Sequence, residues 1–348
     1  GHQYRKYRLA ARAVDAAAEQ KRRAQSADEA SAKRQRVDAP ERTAADAVAP
    51  LRNLPYAEQL AQKHASLAQA LRKLPAELSR ERRKAEPAQR QLWNELVWLR
   101  EGPLRARERL PCPLAEVLPS PLTDGYRNKC EFTIGLDAGG EPCVGFHVGS
   151  FRETGAATVG PAEGCRVVSA AMLAAAARVQ SYVAKSTLKP FDKMSAQGFW
   201  RQLSARQSFH GAADEPPELL LCVIVHRGDV ADERIAAESA SLAEHLTTPP
   251  LQTAVRMSLE VVVQSATGEA VAFDAPGSDH KVIFGRSFIE ETLLGLRFQV
   301  STAAFFQVNT GAAEVILRVL REHCGLGPRT ILLDVCCGTG IIGLALAR

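Results

Sequence analysis

Long hydrophobic runs are missing from this sequence. The longest uninterrupted apolar stretch free of alanine is the seven residues Leu219–Val225, and a membrane-spanning helix needs about 20. No membrane association is therefore expected, and no secretory leader opens the chain. Aromatic residues are scarce, at 6%. Neither sign of charge dominates: 44 Lys+Arg against 39 Asp+Glu leave a formal charge of +5. None of the eight cysteines forms a Cys-x-x-Cys pair, and only Cys336 and Cys337 are close in sequence. That spacing argues against zinc-ribbon and thioredoxin chemistry, so no metal is expected. Cysteines scattered through apolar segments point instead to buried thiols in a reducing compartment, the nucleus or cytosol.

What remains is the composition of an ordinary globular protein, 46% hydrophobic and 24% charged. The 348 residues suit about two domains. The chain opens on Gly1 within charged sequence and closes at Arg348 shortly after a glycine-rich turn. These ends read as those of a fragment. Residues 1–14 place Tyr4, Tyr7 and Leu9 among arginines, like the closing strand of a small domain. Residues 15–48 carry almost no large apolar side chains and read as a disordered linker. The cluster Lys33-Arg-Gln-Arg36 within it is open to two readings, a solvated linker or a localisation or nucleic-acid patch. Over residues 49–109, Leu60, Leu67, Leu71, Leu74 and Leu78 recur at helical spacing, with a break expected at Pro75. A second short amphipathic segment is expected over Leu92–Leu99.

From residue 110 to 296 the pattern is that of a mixed α/β domain. Tyr126–Ile134 alternates, with Tyr126, Cys130, Phe132 and Ile134 on one face and Arg127, Lys129, Glu131 and Thr133 on the other. Asp137-Ala-Gly-Gly140 supplies a turn into a second alternating run, so a hairpin is expected. Further strands are expected at Phe199–Arg206, Glu218–Val225 and Ala254–Gln264, with helices at Met172–Val183 and Ile235–Leu246. Arg127 and Lys129, with Arg201 and Arg206 beside Trp200, could meet a polyanion, because single-stranded nucleic acid is held by cationic grooves and aromatic platforms. The plainer reading is a solvated sheet face with one core tryptophan.

Residues 297–348 hold the sharpest signal. Ile331-Leu-Leu-Asp-Val335 reads as a buried central strand. Gly338-Thr-Gly340-Ile-Ile-Gly343 follows it as a turn and helix start. Together they read as the first βα unit of a doubly wound sheet, where ligands bind at the strand's carboxyl end. The glycines fit the dinucleotide pattern formally, which alone is weak. Asp334 at the strand end would repel a pyrophosphate but suits the ammonium of a methionine moiety. S-adenosylmethionine is the favoured cofactor, with NAD or FAD the alternative and a ligand-free turn the third option.

Four stretches in register resemble the RNA uracil-5-methyltransferases: Tyr56-Ala-Glu-Gln-Leu-Ala-Gln-Lys63, Tyr126-Arg-Asn-Lys-Cys-Glu-Phe132, Ala304-Phe-Phe-Gln-Val-Asn-Thr310 and Leu333-Asp-Val-Cys-Cys-Gly-Thr-Gly340. The resemblance covers roughly residues 50–348. It implies a central RNA-binding α/β domain followed by the truncated start of a Rossmann-like, S-adenosylmethionine-dependent methyltransferase domain. The strand at 1–14 would then be the remnant of an upstream RNA-recognition motif.

The implied reaction methylates carbon 5 of a uridine in tRNA, that of the T-loop. A cysteine thiolate adds to carbon 6, carbon 5 takes the methyl, and a carboxylate removes the proton. The target base must leave its stack. The resemblance places nucleophile, base and ribose-binding acid beyond the glycine turn, so no catalytic residue and no independent activity are expected here. Cofactor-binding residues implied are Gln307, Asp334, Cys336, Gly338 and Gly340. Many bacterial members carry an aromatic residue where Cys336 stands. Cys336 and Cys337 are expected to be buried and inert, and Phe305 and Phe306 to pack inward. RNA-binding residues expected are Arg127, Lys129, Trp200 and Arg201, on a monomer whose partner is tRNA. Two other classes stay open, a non-catalytic RNA-binding module and a dinucleotide-dependent oxidoreductase.

Overall fold

The computed structural model describes residues 43–86, 110–148, 158–209, 216–249, 251, 255–267, 273 and 277–347. The expected strand at 1–14, the cluster at Lys33–Arg36 and the segment Leu92–Leu99 lie outside the described residues. From Thr43 to Arg348 the chain makes one compact unit.

The last residues of the expected linker are helical. Helix α1 (Ala44–Val48) starts at a capping box. Thr43 Oγ1 accepts from the Asp46 amide at 3.3 Å, and Asp46 Oδ2 accepts from the Thr43 amide at 3.0 Å. Helix α2 (Tyr56–Lys84) runs straight through Pro75, where the sequence predicted a break. An internal proline removes one hydrogen bond at a cost of about 3 kcal/mol. Here long runs of Ala, Leu, Gln, Lys and Glu on both sides continue the helix across it. Only Ala68 of this helix is buried, so its leucine stripe covers no core among the described residues.

The centre is a seven-stranded sheet in the order β3-β2-β1-β4-β5-β6-β7. Its strands are β1 (Lys129–Leu136), β2 (Pro142–His147), β3 (Val159–Pro161), β4 (Trp200–Gln207), β5 (Glu218–His226), β6 (Arg256–Gln264) and β7 (Asp279–Phe284). Every described pairing is antiparallel except β5 with β6. That parallel pair is joined across helix α4 (Asp232–Thr247), as a parallel connection requires. The β1–β2 hairpin forms as expected. Asp137 Oδ1 accepts from the amides of Gly139 at 2.8 Å and Glu141 at 3.0 Å, and Gly140 turns at φ +84°.

Strand β5 explains the apolar run Leu219–Val225. All nine of its residues are buried. Leu219, Leu221, Val223 and Val225 face a core shared with α4 and with helix α3 (Ala170–Val183). On the other face Leu220 meets the hairpin of β8 (Phe288–Leu293) and β9 (Leu296–Ser301) and helix α5 (Thr310–His323), while Cys222 and Ile224 meet Val262 and Phe273. Ser169 Oγ caps α3 by accepting from the Met172 amide at 3.3 Å. Its alanines Ala171 and Ala175 let the helix lie close on the sheet.

The β8–β9 hairpin crosses the domain boundary expected at 296/297. Leu294 (φ +50°) and Gly295 (φ +74°) make its two-residue turn, the geometry that matches strand twist. Buried Glu218 ties the hairpin to the sheet. It accepts from the Glu290 amide at 2.6 Å, pairs with Arg256 at 2.9 Å, and pairs with Arg286.

One expectation fails outright. Ile331–Val335 forms no strand and no ladder; Ile331 is 86% and Leu333 81% exposed. A strand exists only when neighbours satisfy its backbone groups, and no described strand lies beside this segment. The mixed α/β class stands, while a doubly wound sheet does not form within the described residues. None of the helices, among the described residues, is long and apolar enough to cross a membrane.

Candidate cofactor and nucleic-acid site

The turn after Asp334 is built from left-handed residues. Cys336 (φ +64°), Gly338 (φ +56°) and Gly340 (φ +73°) all lie there, and a non-glycine residue in that region is uncommon. Helix α6 (Ile341–Leu346) then begins. The half-exposed Asp334 carboxylate accepts from the Gly343 amide at 3.1 Å, which holds the acid at the lip of the turn. A Cβ placed on Gly338 would meet no atom within 4 Å. An open glycine backbone beside an acceptor-only carboxylate fits a ligand bearing an ammonium group and disfavours a pyrophosphate. Cys336 and Cys337 are exposed, not buried as expected, because no strand or helix among the described residues packs over the turn.

Gln307 lies in the loop between β9 and α5. Its side chain is exposed. The helix cap is its neighbour Asn309, whose Oδ1 accepts from the Ala312 amide at 2.9 Å. The two phenylalanines before it divide. Phe306 is buried against Phe298 at 6.0 Å between ring centroids, whereas Phe305 is 71% exposed. The expectation that both pack inward therefore holds for one only. The Thr339 hydroxyl donates to the Phe305 carbonyl at 3.3 Å, so the glycine turn and the Gln307 loop touch.

Further hydrogen bonds connect this loop to the rest of the molecule. Asn128 Nδ2 donates to the Gln307 carbonyl at 2.7 Å and to Thr310 Oγ1 at 3.0 Å. Arg206 Nη2 donates to the Ala304 carbonyl at 2.7 Å. Asn309 Nδ2 donates to Ser120 Oγ at 3.0 Å, while the Ser120 amide donates to the Tyr56 hydroxyl at 2.8 Å. The four sequence stretches thus form one hydrogen-bonded assembly. Arg206 is buried, and burial pushes its guanidinium pKa down to about 10 against the pull of Glu131 and Glu291.

Sequence reasoning missed Asn128, Glu291 and Thr310, and read Arg206 as a cation facing RNA, whereas it is buried and holds the Ala304 carbonyl. A signal existed for two of them. Asn128 has the same strand parity as Cys130 and Phe132, and Glu291 the same as Ile289 and Leu293. A polar residue at a core position needs a partner, and each has one here.

The four residues expected to meet RNA lie apart. Trp200 is 1% exposed and packs edge-on against Tyr182 and Phe199, so its ring has no open face for a base. Arg201 is buried, donating to the Ala266 carbonyl and lying over the Phe191 ring. Both sit in the core because β4 is covered on both sides. Lys129 pairs with Glu131 at 2.8 Å and lies over the Phe273 ring. Arg127 donates from Nε to the Lys129 carbonyl at 3.2 Å, and burial raises the pKa of the Cys130 thiol to about 11. Arg127 lies just before the regular strand, which begins only at Lys129. Arg127 and Lys129 remain partly exposed.

No protein-family model matches the chain. It is 35% identical over 332 residues to zinc finger CCCH domain-containing protein 24 of Arabidopsis thaliana, covering 88% of this chain and 40% of that protein. To the human tRNA (uracil-5-)-methyltransferase homolog A it is 34% identical over 305 residues, covering 87% and 45%. To the human homolog B it is 30% identical over 305 residues, covering 87% and 56%. The chain spans about half the length of the curated relatives it matches. Among solved structures, a Pyrococcus abyssi tRNA (uracil-54, C5)-methyltransferase in complex with S-adenosyl-L-homocysteine aligns with a TM-score of 0.47 and 20% identity, over 66% of this chain and 48% of that one.

Proposed function

From the premise that the chain is related by sequence to the RNA uracil-5-methyltransferases, we propose that the protein methylates carbon 5 of a uridine in tRNA, with S-adenosylmethionine as donor. The observation that carries this is the contact between the glycine turn and the Gln307 loop, with Asp334 held at the turn's edge. S-adenosylmethionine supplies an activated methyl group when bound. Asp334 would orient its ammonium, the open backbone at Gly338 and Gly340 would lie along it, and the exposed Gln307 amide would offer a donor and an acceptor. Cys336, exposed in the turn, would line the same site through its backbone.

Tethered to this loop through Asn128, the surface around Arg127 and Lys129 would meet the RNA backbone, where cations contribute most of the affinity. The target is the T-loop uridine. The 348 residues alone are inactive in this proposal, because the resemblance assigns nucleophile and base to positions after Gly343. The protein would act as a monomer in the nucleus or cytosol. Asp334 weighs against the dinucleotide alternative.

The test uses the complete protein and tRNA carrying 5-fluorouridine, which blocks the final proton removal. A covalent protein–RNA adduct that requires S-adenosylmethionine supports the proposal. Tight tRNA binding without any adduct would favour a non-catalytic RNA-binding module.

A further inference from the structure

Asn128 is 1% exposed and sits between the two cations proposed to face RNA. Its amide makes a directed relay. Nδ2 donates to the Gln307 carbonyl and to the Thr310 hydroxyl, and Thr310 in turn donates to Glu291 Oε2 at 3.3 Å. Glu291 is also held by the amides of Phe209 at 3.0 Å and Thr292 at 3.1 Å. The Asn128 backbone amide adds a bond to the Val308 carbonyl at 2.8 Å.

The orientation of this side chain cannot be reversed. A flipped amide would press Oδ1 against the Gln307 carbonyl oxygen, two acceptors with no proton between them. In the orientation present, Oδ1 is buried with no partner among the described residues. Buried acceptors are normally satisfied, so Asn128 leaves its own oxygen unpaired while both its donors serve the loop. Aspartate would lack the donors, and an alanine would take this donor from the Gln307 carbonyl and leave the Thr310 hydroxyl bonded to Glu291 without it. A second clamp lies beside it: Arg206, the register partner of Lys129, holds the Ala304 carbonyl at the other end of the loop.

Resting on the function proposed above, we infer that Asn128 is a positioning residue that fixes the Gln307 loop and links RNA on the Arg127–Lys129 segment to cofactor affinity. It touches neither substrate nor cofactor. Its effect runs through the backbone it holds, and linkage makes that effect reciprocal: each ligand raises the affinity of the other by the same factor.

The experiment measures S-adenosylhomocysteine binding to the complete protein by calorimetry, with and without unmodified tRNA. Asn128→Ala, Thr310→Val and Thr310→Ser are compared with wild type. Wild type should bind the analogue several-fold more tightly with tRNA present. Asn128→Ala should bind it about tenfold more weakly, keep tRNA affinity within about threefold, and lose the mutual enhancement. Thr310→Ser should behave as wild type and Thr310→Val should lose part of the enhancement. That pair carries the test if Asn128→Ala does not fold. Wild-type affinity and enhancement in Asn128→Ala and Thr310→Val would overturn the inference. So would equal weakening of both ligands in step with a lowered melting temperature, which marks a merely structural residue. A wild-type protein that binds no analogue at all would instead refute the proposed function, before any variant is compared.

Discussion

Arg206→Met should change global stability very little, although it removes a buried charge that bonds the loop carrying Gln307. The side chain is 1% exposed. Burial lowers its pKa from the ordinary arginine value to about 10 even with Glu131 and Glu291 nearby. That difference corresponds to about 3 kcal/mol of cost to the charged form. Against it stands one charge-assisted bond to the Ala304 carbonyl, about 1.5–3 kcal/mol. Glu291 keeps three donors after the change, from Phe209, Thr292 and Thr310. Methionine fills much of the same volume, so little cavity cost is added. The opposing effects nearly cancel, and urea unfolding of the complete protein should shift by no more than about 1.5 kcal/mol in either direction. The loop should nevertheless loosen, with faster hydrogen exchange at Ala304 and Val308. A loss above about 4 kcal/mol would refute this reasoning, since it would mean that the guanidinium is a net anchor and that its desolvation costs little.

Native thiol titration of the 348-residue chain should find Cys112, Cys324, Cys336 and Cys337 reactive, with Cys130, Cys143, Cys165 and Cys222 reacting only on unfolding; fast labelling of Cys222, whose pKa burial holds well above the usual thiol range, would contradict the packing of β5. Asp46 is held at a pKa of about 2, first by Arg52 and then by Thr43. A carboxylate whose pKa is depressed on folding stabilises above its unfolded value and loses that contribution as pH falls through the folded one. Amide protection in α1 should therefore persist at pH 4 and decline towards pH 2, and an unchanged α1 in Asp46→Asn at neutral pH would count against the capping box. Ile331→Lys with Leu333→Lys should leave the stability of the 348-residue chain within about 0.5 kcal/mol, as for exposed positions; a loss of several kcal/mol would show that the segment is covered.

Much of the central sheet was legible because apolar runs and period-two alternation both report burial. Strands at Trp200–Gln207 and Glu218–His226 and helices at Ala170–Val183 and Asp232–Thr247 fall within a few residues of expectation. The hairpin of β8 and β9 was not foreseen, since its buried positions include Glu291 and its turn includes Leu294, neither a usual signal. Ile331–Val335 shows the opposite failure: an apolar run states a preference for burial, not the presence of a neighbour to bury it. For the site, the glycine turn and Asp334 were readable from local chemistry. The residues that hold Gln307 were not, because Asn128 and Arg206 act across 179 and 98 positions of sequence. Trp200 and Arg201 misled because composition cannot tell a stacking platform from a core aromatic with a cation beside it.

The most direct test of the central claim is nucleoside analysis of unmodified tRNA after incubation with the complete protein and S-adenosylmethionine labelled in its methyl group. The expected result is label in 5-methyluridine alone, at the T-loop position, abolished when that uridine is replaced by cytidine. A folded protein that binds both ligands yet leaves the label unincorporated, or places it on a ribose or another base, would contradict the claim.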